Sequence, residues 1–305
     1  RWPIITKEAE DAALDVIRRG AFSGLDVTEQ FQNEFAAWQG TRYALAFCNG
    51  TAALTAAMFA VGLSKGDEII CPTKTYWGSV SQSMYFGAVP VFCNIDEHLS
   101  IDPDDIERCI TPRTKALMIV HYCGYPCDMD RIMAIADKHG LIVVEDAAQA
   151  VDSFYKGRAL GSIGHLAAFS FHETKNITAG GEGGLLAIND ERFVRRAEIL
   201  WEKGTNRAEF FRGEVNKYGW VDIGSSFLPS EINAAYLWAQ CENLDAIQTE
   251  RKRLWQRYYD FFTENFRSQI SESAEQVAEG GIALPKIPEY ATNNAHMFYL
   301  RFSDL

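Results

Sequence analysis

Short apolar runs alternate with longer segments of helical periodicity along most of this chain. Several of the runs are apolar throughout, as expected for strands that are covered on both faces. This alternation is typical of βαβ units, in which a crossover helix joins two parallel strands. The pattern therefore predicts an α/β fold built on a mostly parallel sheet. The candidate strands lie at residues 43–47, 68–71, 89–93, 115–121, 141–145, 167–171 and 184–188.

Helical segments flank this alternating region on both sides. Two amphipathic helices are predicted at residues 7–19 and 26–39, ahead of the first strand. A polar stretch at 202–222 interrupts the pattern, and a long helical segment at about 230–268 follows it. We expect this last helix to leave the sheet domain.

The C-terminal part of the sequence has a different character. Residues 272–294 contain two prolines, a Gly-Gly pair and little periodicity, which indicates a connection, and a strand is predicted at 297–302. We therefore predict a large domain over residues 1–245. Residues 246–305 then form a connecting helix and the beginning of a small α+β domain.

Size and charge restrict the possible functions. The 305 residues are 47% hydrophobic, which is enough to bury a large core. A net charge of −12 argues against a protein that grips nucleic acid or an anionic membrane, so an anionic ligand must be held by local donors. The sequence has neither an apolar run of membrane-spanning length nor a signal-peptide pattern at its start.

The cysteines indicate a cellular location, and the ends of the chain indicate whether the sequence is a fragment. The seven cysteines are dispersed and odd in number, which indicates reduced thiols and a cytoplasmic location. The chain opens without Met and stops just after an apolar run, so we expect it to be a fragment of a longer protein.

Two of the predicted strands end in residues that can carry chemistry. In doubly wound sheets, ligands bind at the carboxyl ends of the strands. The run 141–144 ends in Glu145 and Asp146, and the strand at 167–171 leads into a loop that contains Lys175. Taken singly, an aspartate at a strand end is usually a cap and a loop lysine is usually a solvated surface group.

Two other strand ends offer a phosphate site and an aromatic ring. The first strand runs into Asn49-Gly50-Thr51, a small-residue turn that opens a helix. Such a turn either binds a phosphate through its free N–H groups or merely caps the helix. Tyr76 and Trp77 follow the second strand and bring aromatic rings to the same edge, although alone they would read as core residues.

Together these residues are the parts that a pyridoxal phosphate (PLP) enzyme needs. PLP chemistry requires a lysine that forms an imine, an acid that keeps the pyridine nitrogen protonated, a phosphate site and a stacking ring. Lysine can also move the proton once it is displaced from the cofactor.

The order of motifs resembles a known family. NGTAAL, EDAAQ and FSFHETKN followed by GGEGG are similar to the DegT/DnrJ/StrS-type sugar aminotransferases, a branch of the fold-type I PLP enzymes. The resemblance runs from about residue 5 to the end of the chain. It implies an aspartate-aminotransferase-like large domain with a mostly parallel seven-stranded sheet, and PLP as cofactor with pyridoxamine phosphate as an intermediate.

The resemblance also implies roles for individual residues around the cofactor ring. Lys175 falls on the imine lysine, and Asp146 falls on the acid that faces the pyridine nitrogen. Gln149 matches the residue that hydrogen-bonds the 3′ oxygen of the cofactor. Tyr76 occupies the position of the stacking ring, with Trp77 beside it.

Phosphate contacts are implied in the same way. Gly50 and Thr51 fall on the phosphate-binding turn, and Ser170 matches a phosphate ligand. Many members of the family donate an asparagine from the neighbouring subunit where this chain has Ser226. The family builds each active site from two chains, so the resemblance implies a homodimer.

The substrate expectation rests on longer stretches, among them SFHETKNITAGGEGG and NAHMFYL. Within the family they resemble the enzymes that move an amino group from L-glutamate to C4 of dTDP-4-keto-6-deoxyglucose. That reaction belongs to the biosynthesis of lipopolysaccharide and enterobacterial common antigen. Alternatives that stay open are amination at C3 or of another ketosugar, and a non-catalytic relative that binds PLP. Dehydratases of the family carry histidine in place of the imine lysine, which Lys175 disfavours.

Other readings of the sequence are weaker. Residues 121–128 contain His and Cys, but their Cys-x3-Cys lacks a second pair of ligands for zinc. His172-Glu173 lacks the second histidine of HExxH, because position 176 is Asn. Neither a P-loop nor a correctly spaced GxGxxG occurs, so ATPase and dinucleotide-dependent dehydrogenase functions are disfavoured.

Overall fold

A seven-stranded sheet forms the centre of the molecule. The computed structural model describes residues 4–22, 25–271, 277 and 280–303. Every strand predicted between residues 43 and 188 is present with its bounds shifted by no more than one residue. Two small sheets of two strands each accompany the seven-stranded sheet. The strands in chain order are β1 (Tyr43–Phe47), β2 (Glu68–Pro72), β3 (Val89–Cys93), β4 (Thr114–Val120), β5 (Ile142–Asp146), β6 (Phe154–Tyr155), β7 (Arg158–Ala159), β8 (Leu166–Ser170), β9 (Gly184–Ile188), β10 (Ile282–Ala283) and β11 (Arg301–Phe302).

Helices connect most of the strands of the sheet. Several begin with a side-chain cap: Thr6 accepts a hydrogen bond from the third residue of the first helix, and Asn49 and Asp128 do the same farther along. The α-helices are α1 (Lys7–Arg19), α2 (Asp26–Gln39), α3 (Gly50–Val61), α4 (Gly78–Met84), α5 (Pro103–Cys109), α6 (Met129–His139), α7 (Val194–Trp201), α8 (Arg207–Phe211), α9 (Glu231–Glu242) and α10 (Leu244–Asn265).

The order of the strands across the sheet is β1-β9-β8-β5-β4-β2-β3. The pairs from β8 through β5, β4 and β2 to β3 are all parallel, whereas β9 is antiparallel to both of its neighbours. The mostly parallel seven-stranded sheet predicted from the sequence is therefore confirmed. Parallel strands align their carboxyl ends at one edge, and this edge carries the polar residues singled out above.

Apolar side chains cover both faces of the sheet. One cluster contains Phe31 and Phe35 of α2 together with Ile132 of α6, and the other contains Met58 of α3 and Leu200 of α7. Helices pack on both faces of the sheet, so the strand side chains on both faces are buried. This explains why the sequences of β5, β8 and β9 are almost continuously apolar.

Two expectations for the C-terminal part are wrong in detail. The helix predicted at 230–268 is two helices, because the Asn243 side chain donates a hydrogen bond to the Ala239 carbonyl and ends α9. The strand predicted at 297–302 is reduced to Arg301–Phe302. Its first residues cannot all pair as a strand, since the Met297 carbonyl accepts a hydrogen bond from Trp255 of α10. The boundary between the two predicted domains stays a prediction.

Two glycines bring the start of α3 against the sheet. A Cβ atom on Gly50 would lie 2.8 Å from the Cβ of Ser170 on β8. A Cβ atom on Gly184 would lie 2.2 Å from the carbonyl carbon of Asn49. Both distances are too short for real contacts, so the first turn of α3 can lie on β8 and β9 only because these positions carry no side chain.

Substitution of Gly184 by alanine should destabilise the protein. The new methyl group would force the backbone at Asn49 away from the sheet, which should lower the free energy of unfolding by about 3 kcal/mol. Urea unfolding at pH 7 measures this change. Gly219→Ala is the matched control, because nothing lies within 4 Å of its added Cβ. Equal stabilities for the two variants would contradict the packing explanation.

No helix in residues 4–22, 25–271, 277 and 280–303 has the length and apolar character that crossing a bilayer requires.

Candidate active site

A cavity of about 350 Å³ opens at the carboxyl edge of the sheet. Its walls come from the loops that follow β1, β2, β4, β5 and β8, so residues far apart in sequence meet there. Seven of the eight site residues selected from the sequence line this cavity, namely Gly50, Thr51, Tyr76, Asp146, Gln149, Ser170 and Lys175.

Asp146, the last residue of β5, is buried, and both of its carboxylate oxygens accept hydrogen bonds. Oδ2 accepts from the Ser79 hydroxyl at 2.5 Å, and Oδ1 accepts from the backbone N–H of Ala148 at 3.1 Å. The Ser79 hydroxyl in turn lies 2.7 Å from that of Thr75. These bonds fix the orientation of a carboxylate that faces the cavity.

Ser79 lines the cavity and contacts Asp146, but the sequence analysis did not select it. It lies in the first turn of α4, three residues after Tyr76. This spacing places the two residues on one side of a helical turn, which is a weak signal that many serines share. Only the packing of α4 against the end of β5 distinguishes Ser79 from the rest.

Lys175 lies in the loop between β8 and β9. Backbone hydrogen bonds close this loop at its base, from Phe171 to the Gly183 carbonyl and from Ala179 to the Phe171 carbonyl. Burial lowers the pKa of the Lys175 amine below its ordinary value, and the nearby Asp146 and Glu182 only partly offset this effect. A lysine with a lowered pKa in a cavity can act as a nucleophile or base, since burial favours its uncharged form.

The first turn of α3 forms another wall. Asn49 caps the helix by accepting a hydrogen bond from Ala52 at 2.8 Å, so the capping reading of this turn holds. Gly50 and Thr51 nevertheless line the cavity, and Ser170 lies opposite them at the end of β8. A helix N-terminus facing a cavity favours an anion there, because its first N–H groups and the helix dipole are positive.

Gln149 and Tyr76 also line the cavity, the first held by a hydrogen bond and the second exposed at the rim. The Gln149 side-chain oxygen accepts a hydrogen bond from the backbone N–H of Cys123 at 2.6 Å, which fixes its amide. The Tyr76 ring is 70% exposed at the rim, packed against the position of Gly78, where a Cβ would lie 2.7 Å from the ring.

Ser226 does not line the cavity of its own chain. It is exposed and its backbone pairs with Glu202. Trp77 is also absent from the cavity wall and is 62% exposed. The structure therefore separates these two residues from the seven that it brings together.

The His and Cys residues at 121–127 are engaged in packing. His121 and Glu145 are completely buried, and their side chains lie 2.8 Å apart. Because the backbone N–H of Cys127 points at Nδ1 of His121, the other ring nitrogen carries the proton and donates it to Glu145. The Cys127 thiol donates to the Val120 carbonyl.

Glu145 holds three segments of the site together. Besides His121, its carboxylate accepts hydrogen bonds from the backbone N–H groups of Gly161, Ile163 and Gly164, in the turn that precedes β8. Burial favours the neutral acid, but His121 and these N–H groups together keep the pKa of Glu145 below its ordinary value.

Replacement of Glu145 by glutamine should lower the free energy of unfolding by about 3 kcal/mol at pH 7, since an amide NH₂ would then face buried donors. The wild-type carboxylate stabilises the protein fully above its ordinary pKa of 4.5 and loses this contribution as the pH falls toward its lowered value. Urea unfolding between pH 7 and pH 3 should therefore show a flatter pH dependence for the variant. Exposed Glu191→Gln serves as the control, and an equally small effect at both sites would refute this role.

Comparisons with known proteins identify the family of the chain. The model of the DegT/DnrJ/EryC1/StrS aminotransferase family matches residues 3–295. Over 264 residues the chain is 39% identical to the spore coat polysaccharide biosynthesis protein SpsC of Bacillus subtilis, covering 85% of this chain and 68% of SpsC. It is 38% identical to GDP-perosamine synthase of Escherichia coli O157:H7, covering 81% of this chain and 65% of that protein.

A solved structure shares the fold. The crystal structure of DesV from S. venezuelae, in complex with a ketimine intermediate, is 33% identical and superposes with a TM-score of 0.84. The similarity covers 97% of this chain and 73% of DesV. The match thus spans about two thirds of the curated relatives and three quarters of this solved structure. Since the family model extends over nearly the whole sequence, the chain belongs to the DegT/DnrJ/EryC1/StrS aminotransferase family.

Proposed function

We propose that this chain is a PLP-dependent aminotransferase that transfers the amino group of L-glutamate to C4 of a nucleotide-linked 4-keto-6-deoxy sugar. The observation that carries the proposal is the meeting of the Lys175 amine, the Asp146 carboxylate and the first turn of α3 in one cavity. Family membership supports the reaction class, and the names of the relatives support a sugar substrate.

The residues of the cavity fit PLP by their chemistry. Gly50, Thr51 and Ser170 would hold its phosphate at the start of α3, where a side chain in place of Gly50 would collide with Ser170. Asp146 would hold the ring nitrogen, Gln149 the 3′ oxygen, and Tyr76 would lie against the ring. When bound, PLP supplies a sink for the electrons released at the substrate carbon.

Each remaining step is assigned to a residue of the chain. The Asp146 carboxylate, oriented by Ser79 and Ala148, keeps a proton on the ring nitrogen. The Lys175 amine would carry the proton from Cα of glutamate to C4′ of the cofactor as glutamate becomes 2-oxoglutarate, and in the second half-reaction it would carry a proton from C4′ to C4 of the sugar. Burial lowers the pKa of this amine, which favours the uncharged form that acts as a base.

We further propose dTDP-4-keto-6-deoxyglucose as the ketosugar and dTDP-4-amino-4,6-dideoxygalactose as the product, on the similarity to dTDP-4-amino-4,6-dideoxygalactose transaminase. This places the chain in the biosynthesis of bacterial surface glycans, including enterobacterial common antigen. A GDP-linked sugar is the second candidate, because GDP-perosamine synthase is 38% identical.

Two chains are proposed to share each site. Ser226 is exposed and lies away from its own cavity, so a partner chain can present it to the cofactor phosphate. A homodimeric mass in solution supports this assembly, and a monomeric mass contradicts it. A cytoplasmic location is proposed because all seven cysteines are free thiols.

Absorbance measurements test the reaction. Purified protein loaded with PLP should show a visible band that glutamate bleaches and the ketosugar restores. Mass spectrometry and NMR of the sugar product then distinguish amination at C4 from amination at C3. A band that responds to neither reagent would reject the proposal in favour of a non-catalytic relative.

A further inference from the structure

A second cavity, of about 550 Å³, adjoins the first. Thr174, the residue before Lys175, lines both cavities, so the two cavities share a wall at this residue. The aromatic side chains of Trp255, Tyr258 and Phe298 form part of its wall, and His296 contributes a polar group. Aromatic walls with a few fixed polar groups are typical of small-molecule sites.

The orientation of the Asn176 amide next to this cavity is determined by its neighbours. Its NH₂ group donates to the side-chain oxygen of Gln248 and to the Asn294 carbonyl, each at 2.9 Å. Gln248 is itself fixed, because its own NH₂ group donates to the Asp152 carboxylate and to the same carbonyl. The side-chain oxygen of Asn176 must therefore point away from these groups.

That oxygen lies 2.6 Å from Nδ1 of His296. Since the Asn176 oxygen can only accept, Nδ1 carries the proton, and Nε2 of His296 is left with a lone pair. Within the described part of the chain, no residue forms a hydrogen bond with Nε2. The tautomer follows from the hydrogen-bond network alone.

The imidazole is neutral and held in place. Burial, together with the nearby Lys175 and Arg251, lowers the pKa of His296 to about 3, so the ring keeps a single proton and no charge at neutral pH. Arg251 donates hydrogen bonds to the carbonyls of Ala295 and His296, and the His296 N–H donates to the Asn294 side chain at 3.0 Å. Because this acceptor is already fixed, little conformational entropy is lost when it binds a donor.

We propose that Nε2 of His296 accepts a hydrogen bond from the hydroxyl group on C3 of the sugar, the carbon next to the one that is aminated. This inference rests on the proposed function. The cavities of His296 and Lys175 share Thr174, so we place the part of the substrate next to the reacting carbon beside this residue. A lone pair selects a hydroxyl donor and rejects a carboxylate, which distinguishes the sugar from glutamate at this atom.

Two substitutions separate this role from a structural one. In His296→Asn, the side-chain NH₂ can replace Nδ1 as the donor to Asn176, but the Nε2 acceptor is lost. In His296→Gln, the side-chain oxygen can replace Nε2 as the acceptor, but the donor to Asn176 is lost. A merely structural histidine would tolerate Asn better than Gln, whereas the proposed acceptor would tolerate Gln better than Asn.

Binding is measured by isothermal titration of the protein in its pyridoxamine phosphate form. The probes are dTDP-6-deoxyglucose and its GDP-linked counterpart, which have no ketone and cannot be aminated, and the 3-deoxy analogue of each. We expect His296→Asn to weaken binding about tenfold and to lose the preference over the 3-deoxy analogue, while His296→Gln stays within about threefold of wild type. Thermal unfolding verifies that both variants are folded.

Several outcomes would overturn the inference: equal binding by wild type and His296→Asn, a larger loss in His296→Gln, or no binding of any probe by the wild type. These outcomes do not depend on turnover. If the binding pattern holds but glutamate fails to bleach the cofactor band, the proposed reaction is rejected and the hydroxyl site stands.

Discussion

Replacement of Lys175 by alanine is expected to lower kcat for amination of the sugar by at least about 10³-fold, the effect of removing a well-placed general base. The amine lies in the loop between β8 and β9, lines the cavity with Asp146, and has a pKa lowered by burial. Within the described part of the chain, no other lysine lines this cavity, so no neighbouring amine can substitute for it.

Single-turnover absorbance of the glutamate half-reaction measures this effect without interference from sugar binding. Lys138→Ala is the matched control, because Lys138 is an exposed lysine that pairs with Glu107 away from the cavity. The control should retain wild-type rates. Turnover by the Lys175 variant at a rate near that of wild type would show that another group moves the proton, and the assignment of Lys175 would be wrong.

Replacement of Asp146 by alanine is expected to lower kcat by about 10²–10³-fold, the cost of removing a preorganised electrostatic group. Without the carboxylate, the ring nitrogen would lose the group that we propose keeps it protonated. The substitution also leaves the Ser79 hydroxyl and the Ala148 N–H without their acceptor, which should cost about 1–3 kcal/mol of stability.

Asp146→Asn separates these two consequences, because its side-chain oxygen still accepts a hydrogen bond while its negative charge is lost. We expect this variant to recover most of the stability and little of the activity. Ser79→Ala removes the 2.5 Å hydrogen bond to Asp146 and the 2.7 Å contact with the Thr75 hydroxyl but keeps the carboxylate, so its kcat should fall by no more than about tenfold. Steady-state rates and urea unfolding of the three variants test the assignment, which unchanged rates in Asp146→Asn would refute.

The local spacing of apolar residues was sufficient to predict most of the strands and helices. The strands of the sheet and the helices α1 and α2 were predicted within a residue or so, because the period of apolar residues differs between strands and helices. The pairing of short strands such as β6 with β7 was missed, since two residues carry no period. Asn243 ends a helix through a side-chain bond that periodicity does not reveal.

The sequence allowed us to select those site residues that directly follow a predicted strand. Asp146 and Lys175 stood out because each follows an apolar strand, and the family resemblance supplied roles for them and for Gln149. Ser79 could not be found in this way, because its partner is 67 residues away in sequence. The tautomer of His296 depends on Asn176, which lies 120 residues from it.

The sequence by itself determined the α/β class, the strands and the residue types available at their ends, because these depend on local periodicity and on residue chemistry. Only the tertiary structure decided which strands are neighbours, that β9 runs antiparallel, and which side chains meet at the carboxyl edge. The physical reason is that hydrogen bonds and close packing between distant segments, such as Ser79 with Asp146 or Gly184 with Asn49, exist only after the chain has folded.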